Sequence, residues 1–245
     1  RLEQRLGFSI EARTLQLIAH ALPLLDSVSG ERIRAELADI LAERQVNRIM
    51  SRLAELGLLR AIHPALDWDS WIEARFTGVA EFGPPPDWRL AGQPSAERLK
   101  YALWLYRLPR QDAESVCARL AFSQADQTVV VSAGRHGCGL TDGSSPSQIV
   151  ACLESVPEDA LAAQWLALQA GAEARVTIER FLADWRWVRQ RTDGTRLREL
   201  GLAVGPAYGQ ILSELRAAWL DGRIRTEAEE HSLLNQLIEE HGGRG

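Results

Sequence analysis

Apolar side chains recur every three or four positions along almost the whole chain, with polar side chains between them. This spacing is typical of amphipathic helices that pack on a shared core, and no convincing pair of alternating strands interrupts it. Even the Val-Val-Val run at 129–131, which is locally typical of a strand, has helical neighbours and is interpreted as a buried helix. The sequence therefore predicts an all-α protein.

Glycine and proline divide this helical pattern into three segments. Residues 1–66 contain three short helices and a short apolar connector at 58–64, and they are predicted to form a compact helical bundle. The Gly-Pro-Pro-Pro sequence at 83–86 is a stiff, extended stretch that no helix can cross. We expect residues 67–190 to form a helical body and residues 191–245 to form a helical tail.

The tail contains the most strongly patterned helix, which is predicted over 206–220. Pro206 suits its first turn, because the N–H group that proline lacks would have no partner within the helix. Gly205 leaves the helix start open, and the free N–H groups of a helix start attract phosphate. The alternative is a helix start without any ligand. Thr226 and Glu229 have the spacing of a capping box for the next helix.

The balance of charge argues against a wholly basic nucleic-acid-binding protein. The chain has 28 Lys and Arg residues against 33 Asp and Glu residues, which gives a formal net charge of −5. Lys100 is the only lysine, and arginine is the better partner for phosphate because its planar fork donates two hydrogen bonds together. Residues 173–225 hold ten arginines against seven acids. We therefore expect a site for a polyanion to occupy only part of the surface, in this region or near the amino terminus.

Three features bear on where the protein works. Cys117, Cys138 and Cys152 are widely spaced and fit neither a zinc pattern nor a disulfide framework, so we expect reduced thiols. There is no secretory signal, and no apolar run is long enough to span a bilayer. These observations predict a cytoplasmic protein. The chain begins at Arg1 without a methionine, and we interpret it as a piece of a longer polypeptide.

No arrangement of residues predicts a catalytic, nucleotide-binding or metal site. Asp67 and Asp69 form a pair of the kind that can hold magnesium, but neither a strand nor a glycine-rich loop precedes them. The Gly-Ser-Ser sequence at 143–145 is similar to a phosphate-binding loop, yet it follows the two acids, and Ser145 before a proline suits a helix cap. The five histidines show no metal-ligand spacing.

Arginines interleaved with tryptophans form the best candidate for a functional cluster. A long helix predicted over 178–191 carries Arg186, Arg189 and Arg191, together with Trp185 and Trp187. Guanidinium groups beside an open helix start can track a sugar–phosphate backbone, and a tyrosine there can stack on a base or a sugar. The alternatives are that the arginines only solvate a helix end and that the tyrosine packs beside its helix. The residues predicted to contact such a backbone are Arg186, Arg189, Arg191, Arg196, Arg198, Gly205 and Tyr208.

Specific motifs stand at both ends of the chain. They are RLGF-x-I at 5–10, SGERIR-x-EL at 29–37, L-x-x-LGLL at 53–59, LGL-x-x-GP-x-YG at 200–209 and AWLDG at 218–222. These motifs resemble those of one family, the bacterial class II tRNA nucleotidyltransferases and poly(A) polymerases. They stand in the order that this family has, and the resemblance covers about half of the chain.

The resemblance implies an architecture of head, neck, body and tail in an elongated or curved helical array, of which this chain would hold the last three parts. The family's catalytic head contains β-structure, a glycine-rich loop and metal-binding carboxylates, and the chain has no such segment. A neck motif that reads ATP or CTP would lie just before Arg1, and Leu2 stands where the family usually has phenylalanine. Both departures put nucleotide selection by this chain in doubt.

For function, the resemblance implies an RNA-binding fragment that holds tRNA, or another RNA 3′ end, by phosphate and ribose contacts. DNA and membranes are not expected as partners. The expected protein partner is the missing catalytic head, which would belong to the same polypeptide. With magnesium, ATP and possibly CTP, the parent enzyme would add CMP and AMP, or AMP alone, to RNA 3′ ends. The fragment alone should hold no cofactor and catalyse nothing.

A function from another class remains open, namely a helical protein-interaction module without RNA function. The overall acidity and the tryptophan-rich composition favour it. A small-molecule enzyme that uses the loop at 134–147 is a third possibility with weaker support.

Overall fold

The structure, a computed structural model, describes residues 1–134, 143–202 and 205–242. Within these ranges the regular backbone is helical and no residue is in a strand, which confirms the prediction of an all-α protein. Three short 3₁₀ helices lie at Leu22–Ser27, Pro86–Trp88 and Trp185–Trp187. The α-helices of the described residues are α1 (Leu2–Leu6), α2 (Ala12–Ala21), α3 (Gly30–Leu41), α4 (Val46–Glu55), α5 (Leu58–Ile62), α6 (Ser70–Glu81), α7 (Ala96–Leu105), α8 (Arg110–Arg119), α9 (Gln124–Ala133), α10 (Pro146–Leu153), α11 (Glu158–Ala167), α12 (Glu173–Ala183), α13 (Gly194–Glu199), α14 (Pro206–Leu220) and α15 (Glu227–Gly242).

The helices pack as two units, each with its own core. The first unit comprises Arg1–Pro86, Leu90–Gly139 and Val156–Val176, and the second comprises Asp87–Arg89, Leu140–Ser155 and Thr177–Gly245. The division into segments 1–66, 67–190 and 191–245 stays a prediction. No helix among the described residues combines the length and the apolar character needed to cross a bilayer.

Helix α7 lies at the centre of the first unit, where it packs against α3, α6, α9 and α11. Six of its ten residues are buried, so it is apolar on nearly all sides and cannot face water. Helix α11 meets it with buried alanines, which allow close approach of the two backbones. The predicted helix at 129–131 is confirmed, because these valines lie within α9.

The second unit contains a smaller core in which α13, α14 and α15 meet. The start and end signals read from the sequence are confirmed at α14, where Pro206 is in the first turn and Gly222 adopts a left-handed backbone just after the end. The capping box is also confirmed: Glu229 N–H donates to the Thr226 hydroxyl at 3.3 Å, and Thr226 N–H donates to the Glu229 carboxylate at 3.0 Å.

Two predicted helix boundaries are wrong. The connector expected at 58–64 contains α5, which starts after the left-handed residue Gly57. The helix expected over 178–191 ends at Ala183, and the indole N–H of Trp187 donates to the Leu182 carbonyl at 3.0 Å in the turn that follows. The Trp187 indole therefore occupies the Leu182 carbonyl, which a main-chain N–H group would use if the helix continued, and α12 ends.

The expectation of three reduced cysteines is wrong for Cys152, which is disulfide-bonded. Cys117 is a buried free thiol, and burial raises its pKa to about 12. Cys138 lies outside the described residues. The prediction of a cytoplasmic protein rested partly on reduced cysteines, and it stays a prediction.

We predict that Gly30→Ala destabilises the first unit. Gly30 begins α3, and a Cβ at this position would overlap the carbonyl oxygen of Arg119 at the end of α8, where neither backbone can give way easily. The expected loss in free energy of unfolding is about 1–3 kcal/mol, as for other overpacked sites. Urea denaturation followed by circular dichroism measures it.

Gly78→Ala is the matched control, because a Cβ there meets only a Leu166 methyl group at 3.9 Å in the interior of α6. This substitution should leave stability unchanged or raise it by about 0.5–1 kcal/mol. Equal urea midpoints for Gly30→Ala and the unsubstituted chain would contradict the close approach of α3 and α8.

Candidate nucleic-acid interface

The predicted arginine cluster lies in the second unit on residues 185–198, which we call the arginine segment. It begins with the 3₁₀ turn Trp185–Trp187, continues without regular structure, and ends in the short helix α13. Asp193 caps α13, because its Oδ1 accepts the Arg196 N–H at 2.9 Å. The segment is therefore a connection between helices, and its position depends on groups outside it.

One group that holds the segment is Arg216 of α14. Its Nε donates to the Val188 carbonyl at 3.0 Å, and its Nη1 donates to both carboxylate oxygens of Glu154 at 2.9 and 3.0 Å. Only 18% of the Arg216 side chain is exposed. Because this mostly buried guanidinium uses Nη1 for the carboxylate and Nε for the carbonyl, it is oriented firmly and fixes the main chain where the 3₁₀ turn ends.

The second group is Glu230 of α15, which is 2% exposed. Its carboxylate accepts the N–H groups of Arg191 at 2.9 Å and Thr192 at 2.6 Å, and it also accepts the indole N–H of Trp219. Burial alone would raise the pKa of Glu230, but the hydrogen bonds from Thr192, Arg191 and Trp219 outweigh it and hold the pKa below its ordinary value. The carboxylate is thus ionised and bound at neutral pH.

The side chains of Arg191, Arg196 and Arg198 are exposed and are not held in buried ion pairs. Arg191 and Glu227 approach to 3.7 Å with 70% and 79% of their side chains exposed, and Arg196 pairs with Glu199 one helical turn away at 3.1 Å. Exposed pairs of this kind contribute little and give way to a competing anion. Arg198 is exposed, and within the described ranges it has neither an ion pair nor a side-chain hydrogen bond.

The first two arginines of the cluster interact with the segment itself. Arg186 lies over the Trp187 ring at 4.8 Å, and the Arg189 Nη1 donates to the carbonyl oxygens of Arg186 at 2.7 Å and Val188 at 2.9 Å. Both contacts use groups of the arginine segment itself.

An open cavity of about 520 Å³ brings two of the predicted arginines together. Arg191 and Arg196 line it together with Asp193 and with Glu227, Glu230 and His231 of α15. A cavity with two guanidinium groups at its rim can admit a phosphate, whereas the acids on α15 set a limit to how much negative charge it accepts.

The two other predicted residues are placed as parts of a helix start. The Tyr208 hydroxyl donates to the Leu202 carbonyl at 3.0 Å and its ring packs on the core of the second unit, as in the packing alternative. Gly205 is the exposed residue before α14, without a side-chain cap. Residues 203 and 204 are outside the described ranges. Contact of Gly205 or Tyr208 with RNA stays a prediction.

The acids at 67 and 69 have structural partners. Asp67 pairs with Arg60 at 2.9 Å, and Asp69 caps α6 through the Ile72 N–H at 2.9 Å while it also pairs with Arg107. In the part of the chain that the structure describes, no three His, Cys, Asp or Glu side chains come together as metal ligands. At 143–145 the described chain leads into α10, and Ser145 caps that helix as predicted.

Sequence reasoning missed Arg216, Glu154 and Glu230. Glu230 follows Glu229 in the first turn of α15, where acids are common for their effect on the helix dipole. Nothing in the neighbouring sequence indicates that Glu230 is buried and Glu229 is not. Arg216 adjoins the apolar residues of α14, which is the only signal in the sequence that it is partly buried.

Comparison with known proteins supports the resemblance. A family model described as "Probable RNA and SrmB- binding site of polymerase A" matches residues 7–69. The A-adding tRNA nucleotidyltransferase of Geobacter sulfurreducens is 27% identical, with 98% of this chain and 28% of that protein aligned. The mitochondrial CCA tRNA nucleotidyltransferase 1 of Danio rerio is 25% identical over 93% of this chain and 50% of its own length. The chain thus spans between about a quarter and a half of these relatives.

Solved structures of CCA-adding enzymes share the fold. The Thermotoga maritima CCA-adding enzyme complexed with tRNA has a TM-score of 0.67 at 19% identity, with 97% of this chain and 58% of that chain covered. A CCA-adding enzyme complexed with ATP has a TM-score of 0.69 at 19% identity, with 98% and 58% covered. Sequence similarity to these nucleotidyltransferases and the fold shared with CCA-adding enzymes both support the resemblance to the tRNA nucleotidyltransferase and poly(A) polymerase family.

None of the seven predicted contact residues lies in the matched range 7–69, which belongs to the first unit. This range has its own exposed arginines that form neither ion pairs nor side-chain hydrogen bonds with other described residues. The distribution of charge along the sequence indicates the amino-terminal stretch as a second possible location for a polyanion site, but it does not distinguish these residues from other arginines. They are Arg13, Arg32, Arg44 and Arg48.

We predict that Glu230 makes the stability of the chain depend on pH. Because its folded-state pKa is lowered, the carboxylate contributes stability above the ordinary glutamate pKa of about 4.3, and this contribution is lost as the pH falls through the lower folded-state value. Urea denaturation between neutral and acid pH measures it. Glu230→Gln should lower stability at neutral pH and make its decline in acid shallower.

Glu239→Gln on the exposed part of α15 is the control and should reproduce the pH dependence of the unsubstituted chain. The same decline in Glu230→Gln as in the unsubstituted chain would contradict an ionised, bound carboxylate at this position.

Proposed function

We propose that this chain is the RNA-holding part of a tRNA nucleotidyltransferase or poly(A) polymerase, and that it binds tRNA or another RNA 3′ end. The observation that carries the proposal is the match of residues 7–69 to an RNA-binding region of this family. The exposed arginines of both units add independent physical support. The tRNA complex of the Thermotoga maritima enzyme, which has the same fold, supports tRNA as the ligand.

Binding is expected to use phosphate and ribose contacts and not base edges. Double-stranded RNA presents its phosphates and 2′-hydroxyls, while its base edges are hard to reach, and arginine side chains suit the phosphates. The net charge of −5 is compatible with this, because a few arginines on part of the surface suffice. Affinity should be modest and should fall steeply with salt, since each phosphate contact releases a counterion.

We assign nucleotide addition to a catalytic head that belongs to the same polypeptide. In this proposal the head uses magnesium with ATP, and possibly CTP. The acids among the described residues do not fit a magnesium site, because Asp67 and Asp69 are engaged with Arg60, Arg107 and the start of α6. We therefore assign no catalytic step to this chain.

A protein-interaction role is the second candidate, and exposed apolar side chains at the amino terminus favour it. Leu2, Leu6 and Phe8 lie around α1, and Leu17 and Leu24 lie on α2 and the turn after it. Such side chains mark a surface that contacts another protein where they form one continuous apolar patch. This role predicts that the chain does not bind tRNA even at low salt.

We predict that Arg189→Ala combined with Arg196→Ala weakens tRNA binding. Losing two phosphate contacts should lower affinity about tenfold at low salt and reduce the slope of log affinity against log salt by about two. Filter binding at several salt concentrations measures both quantities.

The control is Arg5→Ala combined with Arg110→Ala, which removes the same charge from exposed, carboxylate-paired arginines of the first unit. It should weaken binding much less. Equal losses in the two double variants would leave only a general charge effect and would contradict a site on the arginine segment. No binding by the unsubstituted chain at low salt would support the protein-interaction role.

We also predict that the isolated chain adds no nucleotide to RNA. Incubation with tRNA, labelled ATP, labelled CTP and magnesium should give no labelled product, because no three potential metal ligands come together among the described residues and the Asp67 and Asp69 carboxylates are already paired. An active CCA-adding enzyme in parallel is the positive control. Labelled tRNA formed by this chain alone would contradict the assignment of catalysis to a separate head.

A further inference from the structure

Two side chains from outside the arginine segment hold its main chain in place. Arg216 binds the Val188 carbonyl, and Glu230 binds the N–H groups of Arg191 and Thr192. Both groups come from helices that follow the segment in sequence, and both have their own partners, in Glu154 and in the Trp219 indole. The ends of the irregular stretch 188–192 are therefore fixed by one cation and one anion.

This arrangement separates positioning from binding. Irregular backbone has no helical hydrogen-bond ladder, so its polar groups need other partners when they are shielded from water. Arg216 and Glu230 supply these partners and do not occupy the guanidinium groups of Arg191 and Arg196, whose pairs with Glu227 and Glu199 are exposed. The arginines remain available to an anion while their Cα positions are set.

We propose that Glu230 and Arg216 are positioning residues for RNA binding, which hold the arginine segment so that its side chains meet successive phosphates. This inference rests on the proposed function. According to this inference, Glu230 promotes RNA binding, although it is an acid beside a site for a polyanion. The favourable effect arises because the acid fixes Arg191 and Thr192 through their main chain, beside the cavity that Arg191 and Arg196 line.

The proposal and a purely electrostatic explanation predict opposite effects on RNA affinity when the Glu230 carboxylate is removed. Removing a carboxylate beside an RNA site should strengthen RNA binding if only its field matters. Glu230→Gln should instead weaken binding, because an amide cannot accept all the N–H groups that converge on the carboxylate, and its own N–H groups would face donors. The segment would then lose its fixed position.

Glu227→Gln is the matched control on the same helix. Glu227 is exposed and approaches the side chain of Arg191, not its main chain. The same change from carboxylate to amide should free Arg191 and strengthen tRNA binding by up to about fivefold, the range of an exposed ion pair. Two isosteric substitutions three residues apart are thus expected to have opposite effects.

Arg216→Lys tests the other contact at constant charge. Lysine keeps the cation but loses the fork that binds the Val188 carbonyl and both oxygens of Glu154 together. It should weaken tRNA binding, whereas Arg223→Lys should not. Arg223 is an exposed arginine after α14 whose side chain has no ion pair or hydrogen bond among the residues described.

The experiment compares these variants of the full chain in tRNA titrations at several salt concentrations, below the unfolding temperature of each variant. We expect Glu230→Gln to weaken binding about fivefold or more and to reduce the salt slope by about one, as for a lost phosphate contact. A folded Glu230→Gln variant that binds tRNA as tightly as, or more tightly than, the unsubstituted chain would overturn the proposal. If this variant does not fold, unchanged binding by Arg216→Lys overturns it.

Failure of this inference is distinguishable from failure of the proposed function. If the Arg189→Ala and Arg196→Ala double variant binds tRNA normally, the site itself is wrong. If that double variant is weakened while Glu230→Gln and Arg216→Lys are not, the arginines contact RNA but these two residues do not position them.

Discussion

The second unit depends on a buried carboxylate that accepts three N–H groups. Glu230 joins the irregular stretch around Arg191 to α14, through Trp219, and to its own helix α15. A buried charge is costly unless its hydrogen-bonding capacity is used, and here two main-chain donors and one indole use it. The same bonds satisfy the main-chain N–H groups of Arg191 and Thr192, which are not part of a helix. Removing the carboxylate would therefore leave these N–H groups and the Trp219 indole without their acceptor.

The same logic explains how an acidic chain can keep arginine side chains exposed. Its acids bind main-chain groups or cap helices, as Glu230, Asp193 and Asp69 do, and several of its arginines are left in exposed, weak pairs or in none. Net charge therefore says little about the local field. In the first unit, the matched range 7–69 contains exposed arginines that form no ion pair or side-chain hydrogen bond with other described residues. The helix at the centre of this unit, α7, is buried on nearly all sides.

The sequence predicted what is local and missed what is distant. The class of fold follows from apolar spacing, and the starts of α10 and α14 follow from Ser145 and Pro206, since each signal acts within one turn. The end of α12 was missed because the Trp187 indole and Arg216 take the carbonyls that a longer helix would need. The role of Glu230 was missed because its partners at 191, 192 and 219 are brought to it only by the packing of the unit.

Protection of individual arginines from chemical modification tests the account most directly. The chain is treated with an arginine-specific dicarbonyl reagent, with and without saturating tRNA, and the modified positions are identified by mass spectrometry. The account predicts that tRNA protects Arg189, Arg191, Arg196 and Arg198, while the exposed Arg110 of α8 is modified at the same rate in both samples. Unchanged modification of all four arginines in a sample where tRNA is bound would contradict it.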